Sequence, residues 1–260
     1  MSSLTKAKAR KLLDEYGITS PAELDLYKIG YGETISIEEA NLSGYLGRIH
    51  YGNGYAIIKI HKGIKEEGQK RFVIAHEMGH FFNETNNLKN CSELELLTYH
   101  SKQEAEYNAN IFASELLLPE KWLEDFARLK KPGLELLQDT ADYFNVSISA
   151  AALRIAQSDV YPVAVIMSTN GKVKWSSINK YFPFRWVPVG YNVNPNSYAY
   201  DIFKAMNEGK IINAEKANEV LADSWFLEDY NYKKDYFLIE QNIPMPNYNS
   251  VLTILWEFEG

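Results

Sequence analysis

The sequence predicts an α+β chain in more than one part, and three observations carry that reading. Helical spacing and short strand-like runs come in separate blocks, not in strict alternation. Aromatic residues are unevenly shared: residues 161–260 hold 9 of 18 Tyr, 4 of 5 Trp and 6 of 12 Phe, 19 in all against 16 in residues 1–160. A chain of 260 residues with 46% hydrophobic and 23% charged side chains can bury a core in each part, which excludes a disordered or fibrous protein.

In the first part, Leu4, Ala7, Leu12, Leu13 and Tyr16 recur as one helix face requires. Ser20, Pro21 and Glu23 form a capping-box pattern with proline at the first helical position, opening a short helix through Leu26 and Ile29. Three strand runs follow, Thr34–Ile37, Gly44–Tyr51 and Tyr55–Ile60, with Asn53-Gly54 marking a tight hairpin between the last two. Helices are expected over 66–82 and over 102–118, the latter stopped by Pro119. Three more should span 122–129, 134–144 and 147–157, with Lys130-Lys131-Pro132-Gly133 as a break.

The second part opens with strands over 161–167 and 172–176, joined by a turn at Asn170-Gly171. A Pro- and Gly-punctuated loop over 181–200 comes next, then helix patterns over 202–207 and 214–222. Strands over 236–240 and 251–258 close a small α+β module. Phe182, Phe184 and Trp186 lie in the Pro-containing loop and are candidates for an exposed binding patch.

Charge and cysteine usage narrow the function class. Twenty-seven Lys and Arg against 34 Asp and Glu give a net charge of -7, so the whole-molecule field does not attract phosphate backbones and direct nucleic-acid binding is not expected. The single cysteine, Cys91, cannot form an intramolecular disulfide, and the start MSSLTKAKARKLLDEYGI lacks the apolar run of a signal peptide. No stretch approaches the roughly 20 apolar residues of a membrane span. A cytoplasmic protein without membrane partners is expected, and the Asn-x-Ser/Thr triplets at Asn41, Asn83, Asn90 and Asn145 are read as chance.

The sharpest feature is His76-Glu77-Met78-Gly79-His80. Residues four apart on a helix are about 40° apart around the axis and about 6 Å along it, so the two imidazoles leave one face together and can grip one ion. Zinc suits two imidazoles and lowers the pKa of a bound water towards about 7. Glu77, beside the pair, can then take the water's proton as general base. A catalytic site needs a third protein ligand, and His50, His61 and His100 are isolated or poorly placed. Glu106 and Asn110, four apart on the next long helix, can face one point: Glu106 as ligand, Asn110 accepting a hydrogen bond from a histidine's second ring nitrogen. Glu104, two residues from Glu106, points roughly the other way and reads as a solvated charge. Glu93 and Glu95 stay open on spacing alone. Tyr99 and His100, between the motif and Glu106, are candidate donors to an oxyanion.

These residues carry a resemblance. Arg71-Phe72-x-Ile74-Ala75-His76-Glu77-x-Gly79-His80, with Glu106-x-x-Ala109-Asn110-x-Phe112-Ala113-x-x-Leu116-Leu117-Leu118-Pro119, resembles the ImmA/IrrE family of bacterial metallo-endopeptidases. Ala141–Ser147 through Arg154-Ile155 resembles the helix-turn-helix-like element that follows the family's peptidase core. Asp223-Ser224-Trp225-Phe226 and Val251–Trp256 resemble its C-terminal region more weakly. Leu118 stands where the family usually has Met, a volume-conserving change. The resemblance implies His76, His80 and Glu106 as zinc ligands and Glu77 as catalytic base. It also implies site-specific cleavage of a helix-turn-helix repressor, relieving repression in a stress or mobile-element regulon.

The expected architecture is a minimal zincin-like peptidase domain over 1–130, a helix-turn-helix-like extension over 131–160 and a C-terminal α+β module over 161–260. That module could gate the peptidase by binding a small-molecule effector, by analogy only. The extension's second helix has Arg154 as its one basic residue and is rich in Ala, so packing is expected of it ahead of base reading. A substrate peptide could lie extended along the edge of the small sheet, by the strand Tyr55–Ile60. Two other classes fit the same residues: a non-cleaving zinc-bound binder or antagonist of a repressor, and a non-peptide metallohydrolase. Glu77→Gln separates the first from a peptidase, because a pure binder tolerates it.

Overall fold

The computed structural model describes residues 2–52, 54–83, 89–91, 104–210, 216–231 and 234–258. The chain is α+β and divides into two compact units, Met1–Trp122 with Ala141–Ser147, and Leu123–Thr140 with Ile148–Gly260. No helix among the described residues is long and apolar enough to cross a membrane.

The first unit begins with α1 (Ser2–Glu15), whose Ala9, Leu12 and Leu13 are buried at the expected spacing. The helix expected from Ser20 through Ile29 is two elements. A 3-10 turn at Pro21–Glu23 carries the capping box, Leu24 is extended, and Asp25 then caps α2 (Leu26–Gly32) by accepting from the Tyr27 and Lys28 amides at 3.0 and 3.1 Å. Asp25 competes for backbone donors and restarts the helix, which a spacing argument does not detect.

Four strands follow: β1 (Ile35–Ala40), β2 (Gly47–Gly52), β3 (Tyr55–His61) and the short β4 (Lys89–Cys91), in the order β1-β3-β2-β4. The hairpin closes with Gly52 opposite Tyr55 and Gly54 at φ +84°; Asn53 lies outside the described residues. β3 pairs with β1 in parallel and with β2 antiparallel along its whole length, so both its edges are occupied. An extended substrate therefore cannot add to β3, and that expectation is corrected.

Ala56, Ile58 and Ile60 turn one face of the sheet towards α3 (Glu67–Phe82), and α4 (Glu104–Leu117) packs against α3 and α1. From Val73 to His80 every residue of α3 is buried. Two glycines make this enclosure possible. A Cβ at Gly68 would come within 2.5–2.9 Å of the Val146 and Ser147 backbone, and one at Gly79 within 2.8 Å of Ala109 Cα and O.

The chain continues through α5 (Glu120–Ala127), α6 (Leu134–Phe144) and α7 (Ile148–Gln157). The second unit's sheet, β5 (Val163–Thr169), β6 (Lys172–Ile178), β7 (Asn218–Leu221), β8 (Phe237–Met245) and β9 (Ser250–Glu257), is antiparallel in the order β6-β5-β9-β8-β7. α7 packs on β5 and β6, and its Arg154 is buried, which removes it from any base-reading surface. α8 (Tyr198–Asn207) packs on β8 and β9, and α9 (Asp223–Phe226) adds Trp225 and Phe226 to the aromatic core.

Two expectations fail in this unit. The segment read as a helix over 214–222 holds β7 at 218–221, because its backbone groups pair with Phe237–Glu240 and that pairing outweighs a weak helical pattern. Phe182 and Phe184 are fully buried, with Phe184 stacked on Phe226 at 4.7 Å, so they are core and not patch. Only Trp186 is exposed: the buried Asp229 carboxylate accepts from the Arg185 and Trp186 amides at 2.6 Å each and holds the loop there.

Glu240 on β8 is fully buried and accepts from Trp225 Nε1, the Ala199 amide and Asn242 Nδ2 at 2.9, 2.8 and 2.7 Å. Burial pushes its carboxyl above the usual range, and these donors only partly oppose the shift. The folded pKa thus lies above the unfolded one, so this group's contribution is complete below the unfolded pKa and is lost as pH rises through the folded value. Relative to Glu240→Gln, the wild type should therefore lose stability as pH is raised from about 4 to 8. Urea denaturation of both proteins across that range measures the difference; a gap that stays constant or moves the other way defeats the account.

Candidate metal centre

α3 and α4 supply the whole cluster. His76 and His80 sit one turn apart on α3, with ring centroids 4.8 Å apart, and Glu106 reaches them from the first turn of α4. His76 Nε2 and His80 Nε2 are 3.1 Å apart, and Glu106 Oε2 is 3.3 Å from each. All three residues are buried, and among the described residues they form a group whose ligand atoms could hold a metal ion.

The triangle fits a zinc ion in spacing and donor type. Tetrahedral zinc with bonds of about 2.0–2.1 Å holds its ligand atoms about 3.3–3.4 Å apart, and two imidazoles with a carboxylate are an ordinary zinc set. His76 Nδ1 lies 2.9 Å from Asn110 Oδ1. An amide oxygen only accepts, so Nδ1 carries the proton and Nε2 turns its lone pair into the triangle. With both rings protonated, their hydrogen bonds and charges outweigh burial and hold the Glu106 carboxyl well below the ordinary range; with Nε2 unprotonated, a bound cation would take over that role. Glu106 is thus an anion in a buried place, facing two nitrogen donors, an arrangement that a cation completes.

With this geometry in view, the comparisons with known proteins are specific. The model of the Peptidase_M78 family, described as the IrrE N-terminal-like domain, matches residues 33–156. Over 157 residues, 58% of this chain and 84% of the relative, the sequence is 31% identical to Metallopeptidase ImmA of Bacillus subtilis (strain 168). The chain belongs to the ImmA/IrrE family. A solved structure, the Mycobacterium tuberculosis transcriptional regulator, superposes with a TM-score of 0.56 over 96% of this chain and 86% of that one. At 12% identity that likeness is one of fold alone.

In this ImmA/IrrE chain the structure brings His76, His80, Glu106 and Asn110 together, as their spacing suggests. Glu77 is fully buried next to the histidine pair on α3, while Glu104 is exposed. Tyr99, His100, Glu93 and Glu95 lie outside the described residues.

Helix spacing could not reveal how closely α3 and α4 approach. The Gly79–Ala109 contact sets that distance, and Glu106 is three residues before Ala109 on the same helix. Gly79→Ala places a methyl group against backbone atoms that cannot rotate away. It should cost about 1–3 kcal/mol of stability and, by moving Glu106, weaken zinc binding by at least about 10-fold. Urea denaturation and a zinc competition titration check both; a variant unchanged in either removes the spacer role.

Proposed function

We propose that this protein is a zinc-dependent endopeptidase that cleaves a helix-turn-helix transcriptional repressor at a specific site, relieving repression in a stress or mobile-element regulon. The observation that carries the reading is the buried triangle of His76, His80 and Glu106 with Glu77 next to it on α3. Family membership supports peptidase chemistry, and the name of the Bacillus subtilis relative agrees with it.

In this reading residues 1–130 are a minimal zincin-like domain, 131–160 a helix-turn-helix-like extension and 161–260 a module open to regulation by a small molecule. A cytoplasmic site of action follows from a repressor substrate.

Zinc, when bound, would supply Lewis acidity towards a water molecule and a peptide carbonyl. His76, His80 and Glu106 would hold it, and Asn110 would fix the His76 ring and its tautomer. Glu77 accepts the proton of the attacking water and returns it to the leaving amine.

The test is mass-spectrometric mapping of new protein N-termini in cells producing wild type or Glu77→Gln under inducing stress. A new terminus in a small DNA-binding protein, present only with wild type, is the expected result. Identical profiles from two folded, zinc-loaded proteins would instead favour a non-cleaving binder.

A further inference from the structure

We propose that Gly47 is a positioning residue for Glu77: the side chain it lacks is the space in which the Glu77 carboxylate is held. The inference rests on the metallopeptidase reading and concerns a strand residue outside the histidine motif.

A Cβ built on Gly47 would lie 2.6 Å from Glu77 Oε1 and 3.2 Å from its Cδ, and 2.6 Å from Val73 Cγ1. The two separations of 2.6 Å are too short for carbon against oxygen or carbon, and 3.2 Å is tight. Backbone conformation does not explain the glycine, since Gly47 is absent from the residues with positive φ and any side chain could adopt its dihedrals. Strand propensity does not explain it either, because glycine weakens a strand interior and often marks close approach by another group. Nor can β2 step aside, for Gly47 is paired with Ile60 of β3 on one edge and Cys91 of β4 on the other. Strand and helix are thus both fixed, and Glu77 has its position because residue 47 has no side chain.

Gly47 also touches Val73, so a packing role must be separated from a role towards the carboxylate. Val73→Ala removes the clashing Cγ1. In Gly47→Ala/Val73→Ala the added methyl then collides only with Glu77. Glu77→Asp, one methylene shorter, relieves that collision.

The readout is binding of acetohydroxamate to the Co(II)-loaded full chain, followed by cobalt absorbance. A hydroxamate chelates the metal and gives its proton to a neighbouring base, so its affinity reports the carboxylate's placement without a substrate. Val73→Ala should bind one Co(II) and take up hydroxamate as wild type does. Gly47→Ala/Val73→Ala should still bind one Co(II) but hold hydroxamate about 10–100-fold more weakly, the scale set by a misplacement of about 1 Å. Adding Glu77→Asp should weaken hydroxamate in the Val73→Ala background but not further in the double variant.

Equal hydroxamate affinity in Val73→Ala and Gly47→Ala/Val73→Ala overturns the proposal, as does full additivity of Glu77→Asp. Loss of Co(II) from the double variant alone makes Gly47 a packing residue for the centre and also overturns it. If wild type itself takes up no Co(II), the metallopeptidase reading fails first and takes this inference with it.

Discussion

Glu77→Gln should lower turnover of a purified repressor substrate by about 10²–10⁴-fold, the range lost with a positioned general base, while zinc stays bound. Gln keeps the shape that fits under Gly47, and it leaves His76, His80 and Glu106 in place. The loss should appear in kcat with KM little changed, because the missing interaction belongs to proton transfer and not to substrate binding. Single-turnover cleavage with metal analysis of the same samples makes the measurement. A variant that keeps its zinc and cleaves at the wild-type rate would remove Glu77 from the chemistry.

Zinc should also be a large part of the first unit's stability. At free zinc 1,000-fold above Kd, binding to the folded form alone adds about 4.1 kcal/mol. Glu106→Ala removes one of the three proposed ligands and should weaken binding by more than the roughly 10–100-fold typical of outer partners such as Asn110. With a 100-fold loss, the same zinc concentration adds only about 1.4 kcal/mol. Calorimetry with and without a chelator should thus show a large zinc-dependent rise in the wild-type transition and a small one in Glu106→Ala. Equal rises would mean that the ion binds elsewhere. Asn110→Ala should fall between them, since it loosens the His76 ring without removing a donor.

The parts of the centre differ in how they could be read from the chain. His76 and His80 were legible because one helical turn fixes both side chains, whatever surrounds them. Glu106 and Asn110 were legible as a second pair by the same rule, and their facing the histidines was expected, but how closely the two helices approach was not. That distance is set where α3 and α4 pack at the Gly79–Ala109 contact, which lies 30 positions apart in sequence. Gly47 left no signal at all: a lone glycine opening a strand is common, and only the folded β2 shows Glu77 beneath it.

The elements divide in the same way. α1, α3, α4 and the β2–β3 hairpin follow from local spacing and turn chemistry, and they fall where the sequence predicts them. At 218–221 local pattern misleads, since a weak helical stretch becomes a strand once β8 offers its edge. Phe182 and Phe184 look like loop aromatics, yet Phe226, 40 residues and more away, draws them inside.

By itself, then, the sequence determined the long helices of the first unit, the hairpin, the two helical turns that carry the candidate ligands and the family. Tertiary structure alone decided which strand edges are closed, which aromatics are core, how near α4 comes to α3 and what lies over Glu77. The reason is range: helical spacing and turn geometry act over a few residues, whereas packing distance depends on side-chain volumes that meet only after the chain has folded.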